Sequence, residues 1–430
     1  MNADAPGALP GATTPETLSQ TAKVENPHLV RWALLIGAGV FATTLSQPNV
    51  LRIPFQNLLK NDLHVSRQVM AAFFAIVPFA WNIKPLFGII SDSTPIFGTR
   101  RRHYLLIGSA SAAALWLIIG FVPRNYYAIL IATTVMTSML VVGSTIAGAL
   151  MVEAGQRFGA SGRLSSAREL VQNFCILTGG PLGGFLAARA FGFTAITGAA
   201  IAFSVFPIAF FMLKEPRTSQ KNSESLRKAK EQLFTLMKSG TLWAAAGMLF
   251  LVYFAPGFAT PLYYYQTDTL KFSQQFIGNL AFISGGVGLL GAVLYATMCR
   301  KLPLRSMMYI AIGVNALFTL TYLFYTSQTR AMFIEAQGGF VVTLAELAMM
   351  DMAVRATPKG CEAMGFSLMM SVRNTGIGVS DILGSRLIEH YHFTFFNLVW
   401  LNAGTTALVL IAVPFLPTLL MDRSDSTPGA

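Results

Sequence analysis

The sequence predicts an all-α integral membrane protein with twelve transmembrane helices in two six-helix halves. Three observations support this fold class: 53% of the 430 residues are hydrophobic, only 12% are charged, and the apolar residues form long uninterrupted segments. Soluble domains carry about 25% charged residues, and their surface helices have one polar face. A chain of this composition is therefore expected to have lipid around most of its surface.

The apolar segments divide into two sets of six. Each is close to the length of about 20 residues that a helix needs to cross a bilayer. The first set covers residues 32–51, 69–90, 104–122, 126–152, 167–188 and 193–213. The second set covers residues 242–265, 276–298, 307–325, 332–354, 364–387 and 395–420. These segments are numbered below as spans 1 to 12.

Polar segments separate and flank the two sets. The longest one inside the membrane region, residues 214–240, is predicted to be a cytoplasmic linker between halves at residues 30–213 and 241–421. Residues 223–238 within it can form an amphipathic helix on the membrane surface. Residues 1–29 are rich in Ala, Pro and Thr, and they and residues 422–430 are predicted to be cytoplasmic tails, the first of them disordered.

The charge distribution predicts the orientation. The chain has 31 Lys and Arg against 19 Asp and Glu, a net charge of +12. Most of these cations fall in alternate connections, on the side of the linker, instead of gathering in one domain as nucleic-acid binding would require. The sequence therefore predicts a cell inner (plasma) membrane protein with both termini cytoplasmic. Acidic lipid headgroups are its expected partners, and nucleic acid is not.

No pattern indicates an enzyme, a metal site or a cofactor. Cys175, Cys299 and Cys361 lie in or close to three different spans, without metal-ligand spacing. The histidines have no catalytic sequence context, and no phosphate-binding GKS or GKT loop is present. Transport driven by a gradient, or passive transport, is the expectation that remains.

One connection carries a recognisable motif. Residues 84–102 read KPLFGIISDSTPIFGTRRR and include Gly88, Asp92 and the run Arg100, Arg101 and Arg102. This run resembles the signature loop of the major facilitator superfamily, lengthened by several residues. The resemblance implies gating: the acid contacts a neighbouring helix end, the arginines contact acids such as Glu153, and one of two alternating states is stabilised. For the arginines alone, a positively charged cytoplasmic anchor is the alternative.

Four sequence blocks narrow the resemblance to the folate-biopterin transporter family. They are residues 61–68 with 81–105, residues 256–280, residues 291–305 and residues 357–374, which lie in the family's order and cover both halves. The resemblance implies a secondary active transporter for a folate-like or pterin-like solute.

The chain also departs from that family. Members usually carry aspartates in span 4, ahead of the glutamate that corresponds to Glu153, but Ser144 and Gly148 occupy those positions here. In span 5, residues 179–184 read GGPLGG, which is similar to a motif of drug/proton antiporters. Close helix packing through small residues is the alternative interpretation of that cluster.

Ionisable residues inside spans are candidate site residues, because charge is costly in hydrocarbon. Arg373 lies near the middle of span 11, and Asn374, Gly378 and Asp381 are spaced to share one helix face. We expect Arg373 to hold an anionic group of the substrate and Glu346 in span 10 to carry a proton. A structural ion pair of Arg373 with Glu346 or Asp381 is the alternative. Lys84 is expected to extend to the membrane surface.

Span 7 is interrupted by prolines and then carries Tyr264 and Gln266. Broken helices beside a cavity are common in transporters, and aromatic rings there could stack on a planar heterocycle. An aromatic belt at the membrane surface predicts the same tyrosines.

Together these features predict a monomeric proton symporter that moves a small organic anion, folate-like or pterin-like, across the inner membrane by alternating access. Two alternatives remain at this point. One is a drug or metabolite exporter, and the other is a non-transporting scaffold for the assembly of a membrane complex.

Overall fold

The computed structural model describes residues 27–121, 123–158, 161–215, 223–299, 301–358 and 361–421, and nearly all of them are helical. Within these ranges no β-strand forms, apart from an isolated bridge between Ile96 and Thr99. The predicted N-terminal tail, except for its last three residues, and the predicted C-terminal tail lie outside the described residues.

The described residues of the first half form ten α-helices before the linker. They are α1 Pro27–Leu45, α2 Arg52–Asn57, α3 Arg67–Ile76, α4 Phe79–Asn82, α5 Lys84–Ser93, α6 Arg102–Phe121, α7 Tyr126–Phe158, α8 Ser161–Ala187, α9 Phe191–Phe203 and α10 Val205–Met212. A π-helical turn, Leu58–Asp62, extends α2.

The linker and the second half contain the remaining helices. They are the linker helix α11 Ser223–Lys238, then α12 Gly240–Phe254, α13 Ala259–Tyr264, α14 Gln274–Met298, α15 Leu304–Thr319, α16 Gln328–Ala356, α17 Glu362–Tyr391, α18 Phe395–Leu408 and α19 Thr418–Met421. Short irregular helices extend α13, α15 and α18, at Tyr265–Thr269, Leu320–Phe324 and Val409–Phe415.

Each of the twelve predicted spans corresponds to a helical segment. Ten segments of the described chain are long and apolar enough to cross a membrane. Span 1 is represented by a shorter apolar helix, Val30–Leu45. Span 11 corresponds to α17, which is 30 residues long but carries Arg373, Asp381 and Arg386. The polarity of α17 is the first sign that it contributes to a functional site.

Span 1 ends earlier than predicted. The span was expected to reach residue 51, but the helix ends at Leu45 and residues 46–51 form turns. Pro48 accounts for the difference, because proline disfavours helical conformation in the residue before it and cannot donate a helical hydrogen bond. The chain then folds back as α2, whose residues from Ile53 to Gln56 are buried. Arg52 consequently lies inside the protein instead of in a surface connection.

Among the described residues, the apolar contact between the two halves is concentrated at one end of the molecule. We call the end that carries α11 the linker end, and the end formed by residues 46–66 and 255–273 the far end. At the far end a single apolar cluster includes Phe55 and Trp116 of the first half and Tyr263, Tyr325 and Phe395 of the second. At the linker end the second half and α11 form one cluster and the first half forms another. The protein is therefore closed at the far end and divided at the linker end.

The glycine cluster of span 5 lies at this closed contact. A Cβ on Gly180 would lie 2.7 Å from the carbonyl oxygen of Gly278, and a Cβ on Gly184 would lie 2.7 Å from that of Gln274. Only glycine allows α8 and α14 to approach so closely. The packing interpretation of the GGPLGG run therefore accounts for these two glycines.

Candidate functional site

A polar cavity of about 310 Å³ lies between the halves. It is bounded by the turn after α1, by α2 to α4, by α13 and by α17. Its lining includes Gln47, Arg52, Phe74, Trp81, Asn374 and Asp381, together with Arg373 and Gly378. The three positions predicted to share one face of span 11, Asn374, Gly378 and Asp381, therefore border one cavity together with Arg373.

The second half contributes a wall in which charges are paired. Arg373 forms an ion pair with Glu346 of α16, and its Nη1 donates to Asn374 Oδ1 at 3.3 Å. The guanidinium also lies 5.0 Å from the centre of the Tyr253 ring. Its Nε is buried and has no hydrogen-bond partner in the described part of the chain. Glu346 thus neutralises the charge of Arg373, while the Nε–H of Arg373 remains available as a hydrogen-bond donor.

Asp381 belongs to a different ion pair. It accepts hydrogen bonds from the backbone N–H of Thr260 at 2.8 Å and from the Thr260 hydroxyl at 2.6 Å. Its second partner is Arg52, whose Nη2 lies 3.5 Å from Asp381 Oδ2. Thr260 is in the first turn of α13, where free N–H groups favour a carboxylate. Asp381 therefore holds the start of α13 and a cation from the first half together.

The break in span 7 makes this arrangement possible. The backbone N–H of Gly257 donates to the carbonyl of Ser380 at 3.0 Å, and the Ser380 hydroxyl donates to the carbonyl of Ala255 at 2.6 Å. Backbone groups of the irregular residues 255–258, between α12 and α13, thus form hydrogen bonds with Ser380 of α17. This contact places Thr260 beside Asp381.

The first half contributes a wall with a different charge pattern. A second cavity of about 250 Å³ is lined by Gln47, Trp81, Ser144, Arg168 and Gln172 among others. Lys84 donates to the Ser144 hydroxyl at 3.0 Å, and its Nζ lies 5.0 Å from the centre of the Trp81 ring. Lys84 therefore points toward the interior, and the expectation that it extends to the membrane surface is wrong.

Gln47 and Trp81 line both cavities, which places the two sites side by side. The hydroxyl that Lys84 contacts is that of Ser144, one of the two residues that replace the expected aspartates of span 4. Lys84 thus meets a neutral hydroxyl at a position where the family resemblance led us to expect a carboxylate.

Tyr264 and Gln266 do not line either cavity. Tyr264 donates to the carbonyl of Val65 at 2.7 Å across the closed far end. Gln266 donates to the Tyr325 hydroxyl at 2.7 Å, which in turn donates to Glu335 at 3.2 Å. Both residues therefore contribute to far-end contacts instead of joining Arg373.

Three further contacts join the halves at the far end. Lys60 pairs with Asp268, and the guanidinium of Arg67 lies 4.7 Å from the centre of the Tyr264 ring. The backbone N–H of Gln68 also donates to Glu389 at 3.2 Å.

The predicted gating residues form contacts within the first half. Arg101 pairs with Glu153 at 2.9 Å and donates to the Ser91 hydroxyl at 3.1 Å. Gly88 lies beside Thr145, to which a Cβ would make an ordinary contact of 3.6 Å. The side chain of Asp92 lies outside the described residues.

Sequence reasoning missed the partner of the arginine run. The backbone N–H groups of Arg100, Arg101 and Arg102 all donate to the carboxylate of Glu215, at 2.9, 3.0 and 3.0 Å. This carboxylate satisfies free donors at the start of α6. The Arg102 side chain donates to the carbonyl of Phe210 at 3.1 Å. The run therefore joins spans 3 and 6 as well as spans 2 and 4.

Sequence reasoning also missed Arg52 and Arg168 as cavity residues, and Lys84 as a residue that contacts the cavity lining. Arg52 was assigned to a surface connection, although the apolar residues that follow it indicated burial. In the described chain no three His, Cys, Asp or Glu side chains are grouped as a metal site. The three cysteines are buried and form no disulfide with one another.

Similarity to known proteins agrees with this geometry. The chain is 29% identical over 393 residues to the folate-biopterin transporter of Synechocystis, covering 86% of this chain and 78% of that protein. It is 23% identical to folate transporter 1 of Plasmodium falciparum, covering 87% of this chain and 76% of that protein. These relatives are transporters, which confirms the prediction that the chain is not an enzyme.

The fold is confirmed by a solved structure. A crystal structure of a nucleoside transporter matches with a TM-score of 0.71 at 11% identity, covering 90% of this chain and 99% of that one. The chain is an integral membrane protein with the major facilitator superfamily fold. The sequence model of the BT1 family matches residues 48–427, and the protein therefore belongs to the BT1 family.

Proposed function

We propose that the protein is a proton-coupled secondary transporter that moves a small, planar organic anion of the folate or pterin type by alternating access. The observation that carries this proposal is the charge of the two cavities. Arg52, Lys84 and Arg373 lie in or directly against them; the acids Asp381 and Glu346 pair with Arg52 and Arg373, whereas Lys84 meets the neutral Ser144 hydroxyl. The excess of positive charge favours a negatively charged solute.

Arg373 is suited to bind an acidic group of that solute. A guanidinium presents donors in a planar fork that matches a carboxylate. Its Nε is not engaged, and its charge is held by a single acid, Glu346. A proton on Glu346 would remove that competing charge and leave Arg373 available to the substrate. Binding of a proton and binding of an anion would then favour each other, which is a physical route to symport.

Aromatic rings support the choice of a planar solute. Phe74 lines the first cavity, and Trp81 lines both cavities. Large flat side chains in a cavity offer stacking surfaces for a heterocycle. The names of the two relatives, a folate-biopterin transporter and a folate transporter, support the same substrate class for this chain.

The division of the molecule supports alternating access. If the linker end is cytoplasmic, as the distribution of Lys and Arg predicts, a structure closed at the far end and divided at the linker end faces inward. We place the protein in the inner membrane, as a monomer with both termini cytoplasmic. In the opposite, outward-facing state, Asp92 and the arginines at 100–102 would contact the linker end of span 11, so Asp92→Asn should slow cycling and leave substrate binding near normal.

Two observations favour this proposal over a drug or metabolite exporter and over a non-transporting scaffold. The glycine cluster that suggested an exporter contains residues that α14 packs against. A scaffold has no need of ionisable groups around a central cavity, yet Arg373 and Asp381 both line one.

Uptake of radiolabelled folate by membrane vesicles of both orientations, with an imposed pH gradient, tests the proposal. We expect accumulation driven by a proton gradient, abolished by an uncoupler and strongly reduced in Arg373→Ala. If folate and pterins move in neither orientation while the purified protein remains folded, the substrate proposal is wrong. Folate transport that does not depend on the pH gradient would contradict proton coupling but not the proposed substrate.

A further inference from the structure

An apolar groove lies at the linker end, outside the cavities described above. Its volume is about 760 Å³, within the range of roughly 300–1,000 Å³ that small-molecule sites occupy. One side is formed by Ile83 and by Leu86 and Ile89 of α5, and the opposite side by Met364 and Leu368 of α17. The linker helix α11 forms the third side, with Leu233 and Leu236. The groove therefore occupies the seam between the two halves.

The groove begins where spans 2 and 11 separate. Toward the far end these spans are in close contact, since a Cβ on Gly378 would lie 2.9 Å from Ala75. Asn82 marks the end of this contact: its backbone carbonyl accepts from the Ser371 hydroxyl at 3.1 Å, and its side chain accepts from Asn374 at 3.4 Å. Asn82 and Ser371 form the closed end of the groove. Beyond them the seam is open, and Leu86 is 55% exposed.

Such a surface needs an apolar occupant. The walls are predominantly Leu, Ile and Met side chains, and exposed apolar patches of this kind mark interaction sites. The groove lies between membrane-spanning helices, so acyl chains of the surrounding bilayer are the apolar groups at hand.

The rim of the groove is positively charged. Arg227 and Lys230 line it and are three residues apart on α11, which places them on the same side of the helix. Arg227 approaches Glu231 only at 3.8 Å, and both side chains are largely exposed, so this pair holds little of its charge. Apolar walls below two cations match a molecule with hydrocarbon chains and an anionic head.

The linker helix itself is placed to meet a membrane surface. Leu233, Phe234 and Met237 are all exposed, and Lys238 lies with its Nζ 4.1 Å from the centre of the Phe234 ring. Exposed apolar residues beside lysines are the pattern of helices that lie in the headgroup region.

We propose that this groove binds one anionic phospholipid from the leaflet on the linker side, with an acyl chain between α5 and α17 and the phosphate at Arg227 and Lys230. The groove is present in this conformation because the halves are apart at the linker end. A lipid that fills it therefore stabilises the conformation that is open at that end. This inference does not depend on which solute is transported.

Native mass spectrometry of the purified full-length protein tests the site, with palmitoyl-oleoyl phosphatidylglycerol as the probe. Phosphatidylcholine with the same chains tests the headgroup, and soluble glycerol phosphate tests whether the head alone suffices. We expect one retained phosphatidylglycerol, much less phosphatidylcholine and no glycerol phosphate. Equal retention of the two lipids would overturn the assignment of the cations.

Two variants locate the binding. The double variant Arg227→Gln with Lys230→Gln should weaken phosphatidylglycerol binding by roughly ten to thirtyfold, since each cation near a membrane surface contributes to binding acidic lipid. Ala229→Trp should obstruct the groove and abolish retention without altering the packing of the spans. Lys238→Gln is the matched control on the same helix, because Lys238 does not line the groove, and it should bind as the wild type does.

Thermal stability without lipid shows that each variant is folded, and the gain in stability on adding phosphatidylglycerol should follow the retained lipid. Undiminished retention in both groove variants would place the lipid elsewhere on the surface and overturn the proposal. Loss of folate binding in Ala229→Trp with lipid retention intact would do so too, because the groove would then belong to the solute's path.

Discussion

The two walls of the central cavity differ in how their cations are balanced. In the second half, Arg373 faces Glu346, and Asp381 of the same helix neutralises Arg52. In the first half, Lys84 faces the hydroxyl of Ser144. The first pattern joins helices by ion pairs, and the second leaves a positive charge in contact with a neutral group.

This difference teaches that depth in the membrane alone does not assign a role to a charged residue. Asp381 and Arg373 lie on the same face of one helix, yet Asp381 is occupied by Thr260 and Arg52, which gives it a positioning role. Lys84 lies near the opposite wall, where its contact among the described residues is the neutral Ser144 hydroxyl, and it is better suited to meet an anion. Substitutions on the two walls should therefore separate binding from stability.

The largest effect is expected at Arg373, which both pairs with Glu346 and is proposed to bind the substrate. Arg373→Lys keeps the charge but loses the planar fork, so affinity for folate should fall about ten to a hundredfold, as expected for roughly 1.5–3 kcal/mol of a charge-assisted hydrogen bond. Equilibrium binding of radiolabelled folate to the purified variants Arg373→Lys and Arg373→Ala measures it. Unchanged affinity with lowered thermal stability in both would mean that Arg373 is only the structural partner of Glu346.

Asp381→Asn should act mainly on stability. Arg52 would remain about 30% exposed without its acid, and we expect a loss of about 2 kcal/mol, below the range for fully buried pairs because of that exposure. Thermal unfolding in detergent measures it. Asp62→Asn is the matched control, since its pair with Arg124 is about half exposed and should contribute no more than about 1 kcal/mol. Equal losses in the two variants would contradict the positioning role of Asp381.

Lys84→Gln should show the reverse pattern. The affinity for folate should fall about tenfold, because a charged donor is replaced by a neutral one. Thermal stability should change little, because the partner that remains, Ser144, is neutral and can still accept or donate a hydrogen bond. Binding and unfolding measured on the same preparation separate the two effects. A loss of stability as large as that of Asp381→Asn would remove the proposed difference between the walls.

Ser144→Asp should give the smallest effect and sharpen the comparison further. The new carboxylate would pair with Lys84 and make the first wall resemble the second. Affinity for folate should then fall severalfold, less than in Lys84→Gln. Ser144→Asn has a similar shape without the charge and should bind folate nearly as the wild type does. Stronger folate binding in Ser144→Asp would contradict an anion site at this wall.

The candidate site was predictable from the sequence only in part. Asn374, Gly378 and Asp381 share a cavity because helical spacing alone places them on one face of α17. The ion pairs of Arg373 and Asp381 were not predictable, because their partners, Glu346 and Arg52, come from other parts of the chain. Glu346 and Asp381 were both reasonable partners for Arg373. Tyr264 and Gln266 were placed near the site because they follow a break in span 7, but that break turns them toward the far end.

The sequence by itself determined that this protein lies in a lipid bilayer and that it is helical. Composition and the twelve apolar segments require a helical membrane protein, because lipid leaves a backbone no partners except its own. The four blocks were sufficient to indicate its family. Both properties depend on residues that are neighbours along the chain, which is why they can be read without coordinates.

Only the tertiary structure decided which charges meet, which end is closed and where the cavities lie. Each of these depends on contacts between residues that are distant in sequence, such as Arg52 with Asp381 or Gly180 with Gly278. Apolar packing in a membrane is not directional, so many helix arrangements are compatible with the same segments. The close glycine contacts and the few buried ion pairs select one arrangement among them.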